Sequence, residues 1–580
     1  MNTRDEDCEV LIVGGGPVGL ALACELGRRG VSCIVVDPKP GFHEHPRATT
    51  ISPRTMEYFS SWGIVEEVFD WAVSAEYPMD VIFTATIAGE ELGRLSYPTI
   101  KQMKERTTDD LATFPQLEWS RYGKVCIGQN RLEPVLGRYA LRHKTVRRLP
   151  LHELVDFTQS ATIVSATVKS VNGVTKTINA RYLVGCDGAR SVTRQLMGAQ
   201  LEGVGDLGRS VNTFFRAPGL VEHLGKRPGF LMWALSPGVT GAIFAIDGDE
   251  QWVYSRHLMA ADKYDEKEDP RIPIQAAFGK PLDIEVISSW SWFPRQLLAT
   301  KYADSRVMLV GDSAHLMSPT GGYGLNTGIA DAMNLAWKLA ATLKGWGGPH
   351  LLQTYGDERR QVAHRNSEEA TDNRLFMRQV FQAGSRLEDS VKERAGALDF
   401  IKTTMHKHGK HFDGMGIYLG DRYDNSPLTI SDGSAAPPWD AEKYFPSTCP
   451  GGRLPLCFSS GGKTLHERCG MDFTLISTNS VELQQLIDEF ARCQVPLTIL
   501  AIGATEQAVL GVPHLLVRPD GIVAWRSSHA PADAGSVVDA LRGNSERQLR
   551  DAQVTQSHLP LPAASPFSKD THAESFSAST

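Results

Sequence analysis

Cys8 to Val13 is a short apolar run rich in β-branched residues, and Gly14-Gly15-Gly16-Pro17-Val18-Gly19 follows it at once. Leu20 to Arg29 is made of good helix formers and ends at Gly30; Val31 to Val36 is a second buried strand, closed by Asp37. Strand, G-x-G-x-x-G, helix, strand and terminal acid together predict the βαβ unit of a parallel sheet that binds a dinucleotide. Each part has a physical role. Gly14 allows the tight turn, Gly16 lets the backbone approach a pyrophosphate, and Gly19 lets helix and strand pack closely. Pro17 and Val18 open the helix, whose N-terminal N–H groups and partial positive charge suit phosphates. Asp37, eighteen residues past Gly19, can accept hydrogen bonds from a ribose hydroxyl. The motif alone does not separate FAD from NAD.

Two later segments narrow the choice. Tyr182 to Arg194 is a strand entering a polar turn at Asp187-Gly188. Arg306 to Val310 is another, leading into Gly311-Asp312, and Pro319 to Gly328 then opens a helix that runs to Leu343. Asp312, at a strand's carboxyl end, can hold the polyol portion of an extended cofactor. The glycine-rich turn leaves backbone N–H groups at a helix start, which suits a ring system that gains negative charge on reduction.

These three fingerprints in this order resemble the flavin-dependent aromatic hydroxylases, the single-component FAD monooxygenases typified by p-hydroxybenzoate hydroxylase and phenol hydroxylase. The resemblance implies FAD as cofactor, NADPH or NADH as co-substrate, O2, and hydroxylation of a small phenolic or aromatic substrate through a flavin C4a-hydroperoxide. It places Arg47, in His45-Pro46-Arg47-Ala48, and Gln129, in Gln129 to Glu133, at the ribose-phosphate portion of FAD. Asp187 would serve FAD and nicotinamide handling and Asp312 the ribityl chain, with Pro319, Gly324, Leu325 and Asn326 beside the flavin. Asp37 stands where many relatives have Glu. Baeyer–Villiger or epoxidation chemistry on a polycyclic polyketide is the alternative outcome on the same scaffold. A non-enzymatic flavin-binding protein would keep three cofactor motifs without using them.

Between the later motifs, residues 195 to 300 alternate apolar and polar residues in short runs, which predicts an antiparallel sheet. In the family such a sheet roofs the substrate pocket, and Trp233, Tyr254, Trp290 and Tyr323 are the candidate pocket residues. Ser52, Tyr254, Arg295 and His315 are candidates for the pocket base or its proton relay, none of them singled out; His315 reads more readily as a structural histidine than as an acid–base group. Lys104 to Asp110 reads as a polar loop.

The predicted fold is mixed α/β: a Rossmann-like FAD domain with an interleaved antiparallel-sheet substrate domain and a C-terminal thioredoxin-like domain. The expected boundaries are 1–78, 125–194 and 301–420 for the FAD domain and 79–124 and 195–300 for the substrate sheet. A linker at 421–455, the thioredoxin-like unit at 456–545 and a disordered Ser-, Pro- and Thr-rich tail at 546–580 complete the chain. The last unit has no Cys-x-x-Cys, so a packing or homodimer role is expected of it rather than thiol chemistry.

Composition sets the remaining limits. A net charge of −7 over 580 residues offers no basic footprint for nucleic acid or an anionic membrane. The most apolar run, Val10 to Ala23, is broken by glycines and shorter than the ~20 residues of a spanning helix. Nine scattered cysteines give neither a disulfide framework nor a metal-ligand spacing, so no metal is expected, and with the acidic N-terminus they point to the cytoplasm.

Overall fold

A computed structural model describes residues 7–205, 207–258 and 265–545, and the tail expected at 546–580 lies outside them. Cys8–Val13 is the inner strand of an eight-stranded sheet. It pairs in parallel with Thr175–Gly185 on one side and Cys33–Asp37 on the other, with Val146–Pro150 beyond. Val307–Leu309 adds in parallel outside Thr175–Gly185. Val10, Leu11 and Ile12 are wholly buried. A parallel strand is covered on both faces, which is why this segment is continuously apolar rather than alternating. Helix Pro17–Arg28 covers the sheet beside the helix Tyr323–Leu343, which is buried at every residue from Asn326 to Ala341.

A second sheet of seven strands lies above the first unit in the order Glu285–Trp292, Arg209–Arg216, Gln251–Leu258, Gly241–Ala245, Leu231–Ala234, Val81–Thr84, Glu91–Leu95. Its pairings are antiparallel except Leu231–Ala234 with Val81–Thr84. Residues directly opposite one another share a face. The register therefore puts Trp290, Asn212, Ser255, Ala242, Trp233 and Phe83 in one row across one face. Tyr254 pairs with Thr213 and Ile243, one step out of that row, so its side chain leaves by the opposite face. Tyr254, a candidate pocket residue in the sequence, is thus a core residue on the opposite face whose phenol burial pushes well up, and Ser255 takes the place beside Trp290 and Trp233.

The polar segment 104–110 is a loop only at its middle. Ile100–Glu105 and Thr108–Thr113 are short helices, each opened by a capping box, Thr99 with Gln102 and Thr107 with Asp110. The turn-forming residues concealed that signature.

The C-terminal residues form a four-stranded sheet in the order Leu497–Ala501, Phe473–Ser477, His514–Val517, Val523–Ser527. The first pair is parallel, across the helix Gln484–Arg492, and the last is a hairpin turned at Pro519-Asp520-Gly521. Buried charges tie this unit to the helices behind the first sheet. Glu358, on helix Thr354–Gly384, takes Lys338 Nζ at 2.7 Å and the Arg518 guanidinium at 2.6 and 2.9 Å. Arg518 also grips Asp520, whose backbone carbonyl accepts Arg54 at 2.6 Å. The segment expected as a linker takes part: Asp421 pairs with Arg359 and Arg365, and Arg453 with the buried Glu57. It is a strap, held by charges whose partners lie on other elements, 62 residues away for Asp421–Arg359 and 396 for Arg453–Glu57.

Among the described residues no helix is long and apolar enough to cross a membrane.

Removing one member of a buried ion network strands the others and costs ~3–5 kcal/mol. Arg518→Met should therefore lower the urea midpoint of the C-terminal unit markedly. An unchanged midpoint would mean that apolar contacts alone hold the unit in place.

Candidate active site

Three strand ends meet at one point. Val13, Gly185 and Leu309 are register partners across parallel strands, so the turns beginning at Gly14, Cys186 and Val310 emerge side by side. Gly14 sits at φ +107°, and a Cβ there would stand 2.3 Å from the Cys186 carbonyl oxygen. A Cβ on Gly19 would stand 2.0 Å from the Gly14 carbonyl oxygen. Both glycines are demanded by close approach of backbone to backbone.

Gly16 is different. Its backbone is extended (φ −73°, ψ −178°), a conformation open to any residue, and a Cβ there would meet nothing within 4 Å. The space lies at the start of a helix that no side chain caps. Open space facing unpaired N–H groups is what a pyrophosphate requires. Pro17 occupies the first helical position, and Val18 packs against Gly311 and Gly328, seating the helix on the Gly-Asp turn.

Asp37 accepts the Gly15 N–H at 2.6 Å and the Lys39 N–H at 2.8 Å. It braces the glycine turn at the end of its strand and keeps lone pairs for a ribose hydroxyl. Asp187 is committed to its own loop, taking the Ser191 hydroxyl at 2.5 Å and the Thr193 N–H at 2.9 Å. Arg194 then bridges that loop to the Gly-Asp turn through the carbonyls of Ala189 and Ser313. In this geometry Asp187 positions the turn.

Asp312 is exposed and forms no hydrogen bond or ion pair among the described residues. The mass of protein around it nevertheless pushes its carboxyl pKa up, against the opposing pull of His315 and Arg47. An accessible carboxylate deep in a molecule is suited to polyol hydroxyls. Arg47 is exposed too, with its guanidinium carbon 3.8 Å over the Trp290 ring, and burial of its surroundings pulls its pKa down. Trp290 also stacks on His45 at 5.3 Å, and His45 Nδ1 lies 2.7 Å from Ser288 Oγ. The substrate sheet thus props up the loop that carries Arg47. Gln129 donates to the buried Glu133 at 2.7 Å, and Glu133 also accepts the His43 N–H at 2.8 Å.

Beyond the Gly-Asp turn, the Gly322 N–H closes on the Pro319 carbonyl at 2.9 Å, with Pro319 itself exposed. Gly322 at φ +72° begins the helix without a side-chain cap, leaving the N–H groups of Tyr323, Gly324 and Leu325 at its positive end. The Asn326 side chain bonds elsewhere: it accepts from Ser52 N and Thr55 Oγ1 and donates to Thr50 and Gly322 carbonyls.

The acid–base candidates separate from the cleft. Ser52 caps helix Pro53–Trp62, accepting the Thr55 N–H at 3.3 Å. His315 is wholly buried, with Nε2 2.7 Å from Asp331 Oδ2, and Asp331 in turn binds Arg359 Nε at 2.7 Å and the Gly311 N–H at 3.2 Å. That chain holds the Gly-Asp turn from behind. Tyr323 faces away from the sheet; its hydroxyl donates to the Lys410 carbonyl at 2.9 Å and accepts from Asn373. Arg295 is exposed in the connection between two strands and is not drawn into the cleft by any ion pair among the described residues. Asp331 escaped the sequence reading, although a lone acid in an otherwise apolar helical stretch was a visible signal.

A cradle of uncapped helix starts, an open glycine, a free arginine and a deep accessible carboxylate fits FAD. Gly16 and the first helix would hold the pyrophosphate, Asp37 and Arg47 the ribose-phosphate portion, Asp312 the ribityl chain, and the turn at Gly324-Leu325 the flavin ring. Such a cradle under an antiparallel roof defines a flavin-dependent oxidoreductase. The FAD binding domain family matches residues 7–370, and the aromatic-ring hydroxylase C-terminal family matches 447–545. The chain belongs to this family of FAD-dependent aromatic-ring monooxygenases. It is 34% identical to a "putative polyketide hydroxylase" of Streptomyces halstedii over 92% of this chain and 95% of that one. The rebeccamycin biosynthetic enzyme RebC with reduced flavin superposes with a TM-score of 0.82 at 32% identity, covering 93% of this chain and 99% of that one. Aklavinone-11 hydroxylase in complex with FAD and aklavinone superposes with a TM-score of 0.77 at 27% identity, covering 94% and 100%.

Serine is a favoured helix cap, so Gly16→Ser should leave the thermal midpoint of the apoprotein unchanged or raised while its side chain enters the phosphate space. Titration of the apoprotein by FAD fluorescence should show at least ~10-fold weaker binding, ~1.4 kcal/mol. Wild-type affinity would refute the placement. Trp290→Leu removes the support of Arg47, a cation–π contact worth ~0.5–2 kcal/mol, and should weaken FAD several-fold in the same titration.

Proposed function

We propose that the protein hydroxylates an electron-rich, phenolic or related aromatic ring held between the Trp290–Asn212–Ser255–Trp233 face of the sheet and the cradle below it. The observation that carries this reading is the contact of Trp290 with Arg47, which sets that face directly beside the cofactor cradle. When bound, FAD supplies the redox chemistry, taking electrons from NADPH or NADH and activating O2. The chain does the rest. The positive end of helix Tyr323–Leu343 stabilises negative charge that develops beside the Gly324-Leu325 turn. Asp312 and Arg47 fix the cofactor's position and so the distance at which oxygen is delivered. The roof excludes water, which would otherwise discharge activated oxygen without product. Phe214, Ile246 and Val253 pack together in the sheet and supply apolar cover.

The aromatic partner follows from the family and the apolar roof. Names carried by similar proteins, a polyketide hydroxylase and a hydroxylase complexed with aklavinone, support a fused-ring version of it. We infer that co-substrate and substrate meet between this sheet and the cradle.

Purified yellow protein should oxidise NADPH or NADH severalfold faster when a cognate phenol is added, and mass spectrometry should find product heavier by one oxygen atom. If no member of a phenol, naphthol and anthraquinone panel accelerates oxidation or gains oxygen, the reading fails.

A further inference from the structure

The row across the seven-stranded sheet contains polar atoms with no partner. Among the described residues Asn212 Oδ1 and Trp233 Nε1 are buried without a hydrogen bond, and so is Nε2 of His257, which lies two residues along from Ser255 and so on the same face. The three belong together. Trp233 and His257 stack with ring centroids 5.5 Å apart at 28°, and Phe381, on the helix Thr354–Gly384, closes a triangle at 5.6 Å from each. His257 Nδ1 is already engaged at 3.3 Å from Ser210 Oγ, so only Nε2 is left to offer. Asn212 and His257 keep partial exposure, which places them at the border of open space rather than in a sealed core. Aromatic walls bound the row at both ends: Trp290 over Arg47 at one, Phe83 edge-on to Phe412 at 5.8 Å at the other.

A core built for packing alone would put apolar side chains at these positions, since a buried polar group left unpaired is destabilising. Such atoms on one face of one sheet, with Trp292 Nε1 two residues along from Trp290 as a fourth, describe a surface waiting for polar contacts on a flat ligand. We propose that Asn212, Trp233 and His257 form a specificity subsite that recognises hydroxyl or carbonyl oxygens along one edge of the aromatic substrate. The Trp233 N–H donates to a substrate oxygen, and Asn212 Oδ1 accepts from a substrate hydroxyl. His257, kept neutral because burial and the nearby Arg374 bring its pKa down to about 3, pairs with either through Nε2. Trp233 lies four strands from Trp290, roughly 19 Å at ~4.8 Å per strand, so the subsite reads a part of the substrate away from the Arg47 end of the row. A site built to hydrogen-bond a substrate oxygen discriminates strongly against the analogue that lacks it, because its own polar groups are then left bare.

This subsite rests on the aromatic-substrate reading above, and a matched pair of ligands separates the two. Holoenzyme is titrated with 2-naphthol and with naphthalene, following the visible flavin spectrum, in wild type, Trp233→Phe and Asn212→Leu. Phenylalanine keeps an aromatic ring against His257 and deletes the N–H together with part of the ring system, a loss of packing that naphthalene reports as a control; leucine at the partly exposed position 212 replaces the amide by an apolar group of similar size. FAD content and thermal midpoint report whether each variant is folded. The subsite predicts tighter binding of naphthol than naphthalene by wild type, a loss of about 10-fold for naphthol in at least one variant, and naphthalene unchanged within about two-fold. Equal weakening of both ligands, or no change in either folded variant, overturns the subsite and leaves the aromatic reading in place. Wild type that binds neither compound removes both.

Discussion

The contact between Gly14 and the Cys186 carbonyl is the constraint on which the site depends. At 2.3 Å from a would-be Cβ, no side chain can stand there, so two parallel strands can end flush and turn outward together. The third strand end, at Val310, is fixed to the same level because its N–H donates to the Gly185 carbonyl at 3.0 Å. Three turns separated by well over a hundred residues in the chain thereby become the walls of one cradle. In an open parallel sheet, ligands bind beyond the carboxyl ends of the strands, where loops diverge. Here the divergence leaves open space at Gly16, where a pyrophosphate would sit against the start of the first helix.

Behind the cradle, buried charge holds what apolar packing cannot aim. The chain His315–Asp331–Arg359–Asp421 runs from the Gly-Asp turn to the strap that leads into the C-terminal unit. A second network, Lys338–Glu358–Arg518–Asp520, lies along the same pair of helices. Buried ion pairs contribute little net stability, since desolvation offsets most of the attraction, but they penalise any arrangement that leaves a member unpaired. Their effect here is orientation: the C-terminal unit braces the helix Tyr323–Leu343, whose start lies beside the cradle.

How much of this was legible in the sequence follows from which forces are local. The first βαβ unit was readable because glycine spacing, helix formers and a buried strand all lie within forty residues. The helix Tyr323–Leu343 was readable for the same reason. The seven-stranded sheet was foreseen as a sheet, yet the side on which each residue lies depends on register, and a shift of one residue exchanges faces. That is why the sequence does not tell that Tyr254 turns away from the row of Trp290 and Trp233 while Ser255 joins it. Asp187 and Ser52 were visible as polar residues in the right places, but their hydrogen bonds are spent on a loop and a helix cap. The linker at 421–455 read as slack because its partners, Arg359 and Glu57, are remote in sequence.

The central claim is that the three turns hold one FAD in a single defined pose, and a crystal structure of the FAD complex tests it most directly. The account predicts pyrophosphate oxygens against the backbone at Gly16, ribityl hydroxyls within about 2.5–3.2 Å of the Asp312 carboxylate, and the flavin ring edge facing the N–H groups that start helix Tyr323–Leu343. An Asp312 carboxylate that contacts only solvent, with FAD seated away from the Gly324-Leu325 turn, would contradict it.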